Sequence, residues 1–197
     1  IDVITAESLL VIKKPPSTSP SFSLFNSPQE NNYLEDKLIC FAYRYEYQDD
    51  DYSATSQWSK PAFLPKPFSI GIDDKLNNGM ENARNGVSVT YNTGSSLVKS
   101  IEVLFKESNK NTINVIDKFN KTDNGFVDNQ DVTFEFDSNQ IFTILNSDQL
   151  GRLYDAVPLK AKTQTLMGNR LIYGNYIEGY NLTCLLYTSD AADDVRC

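Results

Sequence analysis

The most regular pattern along the chain is an alternation of aromatic residues with small or polar ones. The aromatic positions are Phe41, Tyr43, Tyr45 and Tyr47, and the positions between them hold Cys40, Ala42, Arg44 and Glu46. Side chains two positions apart share a face of an extended chain, so the segment predicts a β-strand with two different faces. Similar alternation over 87–91, 101–105 and 131–136 predicts further strands.

Turn-forming residues separate these predicted strands. Asp49–Asp51 predicts a turn, after which 52–58 returns as a partner strand. Residues 108–111 are expected to form a hairpin loop. Upstream, Leu9–Ile12 predicts a short strand, and the Pro- and Ser-rich stretch Pro15–Pro20 predicts an extended segment.

One helix is predicted, over 147–157. Ser147 is a candidate N-cap, and Pro158 marks the end. The apolar residues between them have the spacing of one helical face: Leu150, Leu153, Tyr154 and Val157. A strand pair is expected to follow, with a tight turn at 167–169 or at 173–175. Short strands separated by turns indicate an all-β fold, a sandwich or a related architecture.

The amino-acid composition limits the kinds of catalysis and metal binding that are open to the chain. The chain has 197 residues, a formal charge of −8 and no histidine. The acidic balance gives no general reason to wrap nucleic acid. The lack of histidine excludes imidazole bases and imidazole metal ligands. Carboxylate chemistry stays open, but no pair of acids stands out, so we expect no enzyme, no catalytic residues and no cofactor.

The ends of the chain carry few targeting signals. No run of about 18 apolar residues indicates a membrane span. The first residues lack the basic segment of a signal peptide. A start at Ile1 without Met leads us to expect that the N-terminus derives from a longer protein.

Two acidic groups are candidate calcium ligands. Asp49, Asp50 and Asp51 could bind a cation, but their spacing is not that of an EF-hand, and a solvated turn is favoured. The second group comprises Asp117, Asp123, Asp128 and Asp131. Ordinary loop positions between strands are favoured for it as well, so no metal site is assigned.

Three further groups have alternative interpretations. Tyr43, Tyr45 and Tyr47 could stack on sugars or bases, although a core face is favoured. A modest basic concentration could face DNA phosphates or simply be solvated: Arg152, Lys160, Lys162 and Arg170. Cys40 is expected to be a free, partly buried thiol.

Several segments resemble known protein families. The stretch "FAYRYEYQDDDYSATSQWS" resembles the last hairpin of a fibronectin type III domain, and 87–119 resembles early strands of a second, similar sandwich. The stretch "LGRLYDAVPLKAKTQTLMGNRLIYGNYIEGYNL", residues 150–182, resembles the stabilisation (tail nozzle or muzzle) proteins of crAss-like and other short-tailed bacteriophages. Within it, "GNRLIYGNY" resembles a propeller-type strand pair.

The phage resemblance implies a structural protein of the virion tail, made in the host bacterial cytoplasm. Family members form a homo-oligomeric ring next to the portal, which continues the DNA channel and retains packaged DNA until ejection. The resemblance thus implies portal or tail proteins as partners and channel contact with DNA. The alternative is a fibronectin-like adhesion or carbohydrate-binding module, and a glycosidase is a third hypothesis.

The chain ends in a segment of different character. Residues 184–197, "CLLYTSDAADDVRC", resemble translated sequencing-adapter DNA, with the match running from Cys184 to Asp194. We expect this tail to be non-native and to pack poorly, which leaves Cys40 without an intrachain disulfide partner.

The expected domain organisation has four parts. Residues 1–67 form a portion of a fibronectin-like sandwich, and 68–146 form a second sandwich-like portion. Residues 147–183 form the helix with an incomplete propeller-like strand segment, and 184–197 form the adapter-derived tail.

Overall fold

The computed structural model describes residues 4, 7–9, 12–29, 31–71, 75–107, 110–139, 142–150 and 158–178. The chain divides into two compact units, Ile1–Arg152 and Leu153–Cys197. The predicted residues 151–157 of the helix and the tail 184–197 lie outside the described residues.

The described residues of the first unit form seven strands in two antiparallel sheets. One sheet has the order β1-β3-β6, and the other has the order β2-β4-β5-β7. The strands are β1 (Ser21–Phe25), β2 (Ile39–Tyr47), β3 (Gly86–Asn92), β4 (Val98–Glu107), β5 (Ile113–Asn120), β6 (Asp131–Phe136) and β7 (Thr143–Ile144). A 3-10 turn, Glu7–Leu9, precedes them, and a short helix, α1 (Ser147–Leu150), follows.

The core lies between the two sheets and is largely aromatic. Phe41 of β2 meets Phe136 of β6 edge to face, with ring centres 5.4 Å apart. The ring of Tyr43 is tilted by 45° against that of Tyr91 of β3 across the same interface, with ring centres 5.9 Å apart. Aromatic and β-branched side chains pack well between pleated sheets, which is why these alternating segments form strands. The predicted all-β sandwich architecture is therefore confirmed.

Strand β2 is buried on both faces. All nine of its residues are buried, including Arg44 and Glu46 on the face that points away from the other sheet. Tyr52 and Gln149 both contact Arg44 on that face. Strict alternation correctly predicted the strand and its two different faces, but it did not indicate that the polar face is covered.

A serine ribbon, residues 52–62, covers the outer edge of β2. Ser53, Ser56 and Ser59 each donate a backbone N–H to a β2 carbonyl, all at 2.8 Å. The hydroxyl of each accepts a bond from the N–H of the same β2 residue, at 2.9 to 3.1 Å. The predicted return segment after the Asp49–Asp51 turn thus exists. Its bonded residues are three positions apart, whereas the β2 residues that they bond to are two positions apart. Hydroxyl oxygens therefore replace the carbonyls of a regular strand.

The two portions predicted at 1–67 and 68–146 contribute strands to the same sheets. β2 from the first portion pairs with β4 from the second, from Ile39–Glu107 to Tyr47–Val98. β1 pairs with β3 in the other sheet. The described strands of both portions thus share one core, because the aromatic face of β2 is covered by β3 and β6.

The second unit contains a single described hairpin. Strand β8 (Pro158–Met167) pairs with β9 (Arg170–Glu178). Gly168 and Asn169 form the two-residue turn with φ of 56° and 59°, the left-handed values that such hairpins require. The predicted turn at 167–169 is thus correct, whereas 173–175 lies inside β9.

Two other local expectations have mixed outcomes. Of the predicted helix, Ser147–Leu150 is helical as expected. The predicted strand Leu9–Ile12 is not seen at its described positions, because Leu9 ends the 3-10 turn and Ile12 is a bend. Within the described part of the chain, no helix has the length and apolar character to cross a membrane.

Candidate functional site

An ionic network occupies the covered outer face of β2. The Arg44 guanidinium pairs with Glu102 directly across on β4, and both side chains are more than nine-tenths buried. Arg44 also donates to the Gln149 side chain at 2.9 Å. Its guanidinium carbon lies 4.1 Å from the ring centre of Tyr52. A buried cation needs such compensation, so this network fixes the ribbon and α1 on one face of β2.

A second pair extends the network to β5. Lys118 donates to Glu46 at 2.6 Å and to the Tyr52 hydroxyl at 3.1 Å. Burial alone would lower the pKa of Lys118, but these two hydrogen bonds outweigh it and raise that pKa. The Oε2 atom of Glu46 is buried and has no hydrogen-bond partner among the described residues.

A polar cavity of about 300 Å³ lies at one end of β2. The residues that line it include Glu7, Lys14, Tyr45, Tyr47, Asn92 and Ser95. The Tyr47 hydroxyl lies 3.2 Å from Glu7 Oε1 and 2.8 Å from the Lys14 carbonyl oxygen. Ser95 donates to the same Glu7 oxygen at 3.0 Å, and Tyr45 donates to the Asn92 carbonyl at 3.1 Å. This cavity is the candidate binding site.

The shape of the cavity depends on Gly94, whose φ is 69°. A Cβ atom at this position would lie 2.9 Å from both the Tyr45 ring and Val98. Any larger residue would therefore be strained and would also push the Tyr45 ring out of place.

The predicted tyrosine row is a core face and not a stacking platform. Tyr43, Tyr45 and Tyr47 are 1%, 7% and 4% exposed. Burial raises the pKa of Tyr45 well above its ordinary value, and the neighbouring Tyr43 adds to the effect. Only the hydroxyl ends reach polar surroundings, so these rings cannot stack on a sugar or a base.

The Asp49–Asp51 group forms the predicted solvated turn. The turn closes through the Tyr47 N–H, which donates to the Asp51 carbonyl at 2.9 Å. Asp49 pairs with Lys13, and Asp50 pairs with Lys99. The ion pair with Lys13, chiefly through its hydrogen bond, lowers the pKa of Asp49.

The members of the second acidic group bind separate partners. Lys121 is buried and donates to Asp128 at 2.5 Å and to the Ser95 carbonyl at 2.9 Å. Asp131 instead accepts from Asn92, and Asp117 accepts from the N–H of Lys118. Over the described ranges, no cluster of three or more acidic, Cys or His side chains could hold a metal ion.

The basic residues of the second unit do not share one face. Lys162 lies between Ala161 and Thr163 on β8, so its side chain is on the opposite face from theirs. Arg170 pairs with Met167, which shares a face with Ala161 and Thr163, so Arg170 and Lys162 lie on opposite faces. Both side chains are exposed. Arg152 lies outside the described residues, as does the side chain of Lys160, so a joint basic surface is not formed by the described pair.

Cys40 is a free, buried thiol, as predicted. Burial raises its pKa, and the charge of Lys106 opposes that effect. Lys106 itself lies over the Trp58 ring, with the amine 4.5 Å from the ring centre. The neutral thiol is therefore favoured, and Cys40 packs as a small apolar side chain.

Sequence reasoning missed the cavity, and it predicted the return segment 52–58 but not the hydroxyl pairing of the serine ribbon. The Ser-x-x-Ser-x-x-Ser spacing of 53–59 is visible in the sequence and was a usable signal for the ribbon. No sequence pattern pointed to Glu7 of the cavity, because only the fold brings it close to Tyr47 and Ser95. Comparisons of the chain with protein-family models, curated proteins and solved structures gave no significant match.

Proposed function

We propose that this chain is part of a structural protein of a bacteriophage tail, one that acts by assembly and not by catalysis. The segment 150–182 supplies the phage resemblance. In the proposed role several copies form a ring near the portal, continue the DNA channel and help to retain packaged DNA.

The observation that carries the proposal is the exposed apolar surface of the β8–β9 hairpin. Leu166 and Leu171 pair across one face and are 76% and 50% exposed. Ile172 and Tyr176, on the opposite face, are 41% and 47% exposed. A two-stranded hairpin is marginal in water, and exposed apolar side chains in this density mark contact surfaces. Both features favour a hairpin that is covered by other protein in the working assembly.

The chemistry of the described residues is compatible with this role. Several charged groups of the first unit are engaged in ion pairs that join strands and loops, as Arg44–Glu102 and Lys121–Asp128 are. DNA contact is proposed from the resemblance alone, since Lys162 and Arg170 lie on opposite hairpin faces.

The proposal is tested by measuring assembly of the full chain, alone and with portal complexes, by light scattering and electron microscopy. We expect rings or portal-bound particles. The double variant Leu166→Lys/Leu171→Lys is expected to remain monomeric, because it places two charges in the proposed contact.

The matched control is Thr165→Lys, which adds a charge to the same strand without removing an apolar side chain. It is expected to assemble more readily than the double variant. A wild-type chain that stays monomeric and never associates with portal complexes would contradict the proposal.

The alternative of a carbohydrate-binding or adhesion module required an exposed aromatic row on β2. The burial of Tyr43, Tyr45 and Tyr47 removes that row. No other described feature favours this class over assembly.

A further inference from the structure

Among the described residues of the first unit, the largest group of exposed apolar side chains lies on the connection between β2 and β3. This apolar arm comprises residues 64–71 and 75–81. Phe68 and Ile70 on its outgoing segment, and Leu76 and Met80 on its returning segment, are 59% to 72% exposed. Apolar side chains gathered in this way on a folded domain mark a contact surface for other protein.

Hydrogen bonds hold the two segments of the arm together. The Asn78 N–H donates to the Ser69 carbonyl at 2.7 Å, and the Lys66 N–H donates to the Glu81 carbonyl at 3.1 Å. The Lys66 amine also pairs with the carboxylates of Glu81 and Glu35, at 2.6 and 2.8 Å. The exposed side chains are therefore carried on an ordered backbone, which lowers the entropy cost of binding a partner.

The distribution of charge indicates which surface matches the arm. Residues 1–152, which include the arm, hold 14 basic and 21 acidic residues, a formal charge of −7. Residues 158–178, the β8–β9 hairpin, hold three basic residues and one acidic residue, a formal charge of +2. The hairpin also exposes apolar side chains, such as Leu166 and Leu171. Opposite charge around two apolar surfaces favours their association and opposes the pairing of like surfaces.

A ring of identical copies needs two different surfaces that fit each other. In such a heterologous contact, one surface of each copy binds the other surface of the next copy, and the ring closes by rotation. The proposed function supplies one of these surfaces, the hairpin. The arm has the properties required of the second surface, because it is apolar, exposed and part of the acidic unit.

We propose that the apolar arm of one copy binds the β8–β9 hairpin of the neighbouring copy. Phe68 and Ile70 of the arm pack against the exposed leucines of the hairpin, Leu166 and Leu171. The acidic charge of one copy and the basic charge of the other favour this contact. The inference rests on the proposed assembly function and names the two surfaces that join its copies.

The test uses two variants of the full chain, each of which keeps one of the two surfaces. Phe68→Ser/Ile70→Ser removes the arm contact, and Leu166→Lys/Leu171→Lys removes the hairpin contact. Each variant alone should assemble at least about tenfold more weakly than the wild type. An equimolar mixture should form mixed dimers and nothing larger, because it supplies one intact arm for each intact hairpin. Analytical ultracentrifugation measures the masses.

The matched control is Val127→Ser, which also replaces an exposed apolar side chain but lies outside the arm. It should assemble like the wild type. Sodium chloride should weaken the mixed dimer, because salt screens the attraction between opposite charges. Thermal unfolding monitors whether each variant keeps the fold of the sandwich.

The proposal is overturned if Phe68→Ser/Ile70→Ser assembles as well as the wild type, or if the mixture of the two folded variants stays monomeric. It is equally overturned if the hairpin variant assembles by itself, since the arms would then bind each other. The first two results leave the proposed function standing where the wild type forms rings and the hairpin variant does not. A wild-type chain that stays monomeric contradicts both proposals.

Discussion

Strands β2 and β9 are similar in sequence pattern and opposite in environment. Both have nine residues and carry tyrosines two or three positions apart. Every residue of β2 is buried, whereas all but one of residues 170–176 in β9 are exposed. β2 has a partner strand on one edge, a serine ribbon on the other and covered faces on both sides. β9 has one described partner strand.

The difference shows that burial of an aromatic strand is decided by its neighbours. The rings of β2 are buried because β3 and β6 lie across the core from them. Its charged residues are buried because Tyr52, Gln149 and Lys118 supply compensating contacts. Ile172 and Tyr173 of β9 are 41% and 44% exposed among the described residues, which supports the proposal that the hairpin lies at an interface.

The test with the largest expected effect removes one aromatic ring from β2 and one from β9. Phe41→Ala should lower the free energy of unfolding by about 3–5 kcal/mol, because Phe41 is fully buried and the loss leaves a cavity. Tyr173→Ala, at a side chain 44% exposed, should cost less than about 1 kcal/mol in the monomer. Urea unfolding followed by Trp58 fluorescence measures the first cost, and hydrogen exchange of the β8 and β9 amides measures the second. Equal costs would contradict the assignment of β2 to the core.

The next test concerns the polar face of β2. Glu102→Gln should lower the free energy of unfolding by about 3 kcal/mol, since it leaves the Arg44 charge buried without its carboxylate. Replacing both members, as Arg44→Met/Glu102→Leu, should restore much of the loss. Asp50→Asn breaks the exposed pair with Lys99 and should cost well under about 1 kcal/mol. A small effect of Glu102→Gln would mean that water reaches this face.

The sequence was sufficient for the local elements of the sandwich. The alternation in 40–47, 87–91, 101–105 and 131–136 predicted four strands that the structure contains. Turn residues correctly predicted the Asp49–Asp51 turn, and the Gly168–Asn169 turn lies at one of the two positions that they predicted. These features depend on contacts between residues a few positions apart in the chain, which a local sequence pattern can predict.

Long-range contacts could not be read from the same patterns. Arg44 meets Gln149 across more than a hundred positions, and Glu7 meets Ser95 across almost as many. No local spacing encodes such pairs. The pairing of β2 with β4 likewise joined two portions that sequence reasoning had separated at residue 67.

The serine ribbon distinguishes the protected edge of β2 from the edges of the hairpin. Ser56→Ala should lower the free energy of unfolding by about 1–3 kcal/mol, because the buried N–H of Tyr43 loses its acceptor. Hydrogen exchange of the Tyr43 amide should accelerate in the same variant. Thr55→Ala, on the same ribbon but without a hydrogen bond to β2, should change neither measurement much. Slow exchange in Ser56→Ala would show that the hydroxyl is not the acceptor that matters.

Alkaline pH provides a smaller test of the buried tyrosines. Burial raises the folded-state pKa of Tyr45 and Tyr91, so the folded chain holds these protons more tightly than the unfolded chain. Their contribution to the free energy of unfolding is complete below about pH 10. It falls as the pH rises further, by up to about 1.4 kcal/mol per pH unit for each tyrosine. Urea unfolding at several alkaline pH values measures this slope. Tyr45→Phe should reduce it, and an unchanged slope would place that phenol in contact with solvent.

Apart from the control variants, the smallest effect is expected at the hairpin turn. Gly168→Ala should cost about 1 kcal/mol within the hairpin, because alanine is disfavoured at a φ of 56° although a Cβ atom there would meet no neighbour. The Trp58 unfolding transition of the first unit should not move, since β8 and β9 form a sheet of their own among the described strands. The comparison therefore predicts a change in the exchange of β8 and β9 amides with constant exchange in β2. A shift of the β2 amides would show that the hairpin stabilises the sandwich, and the environments of the two strands would then no longer be independent.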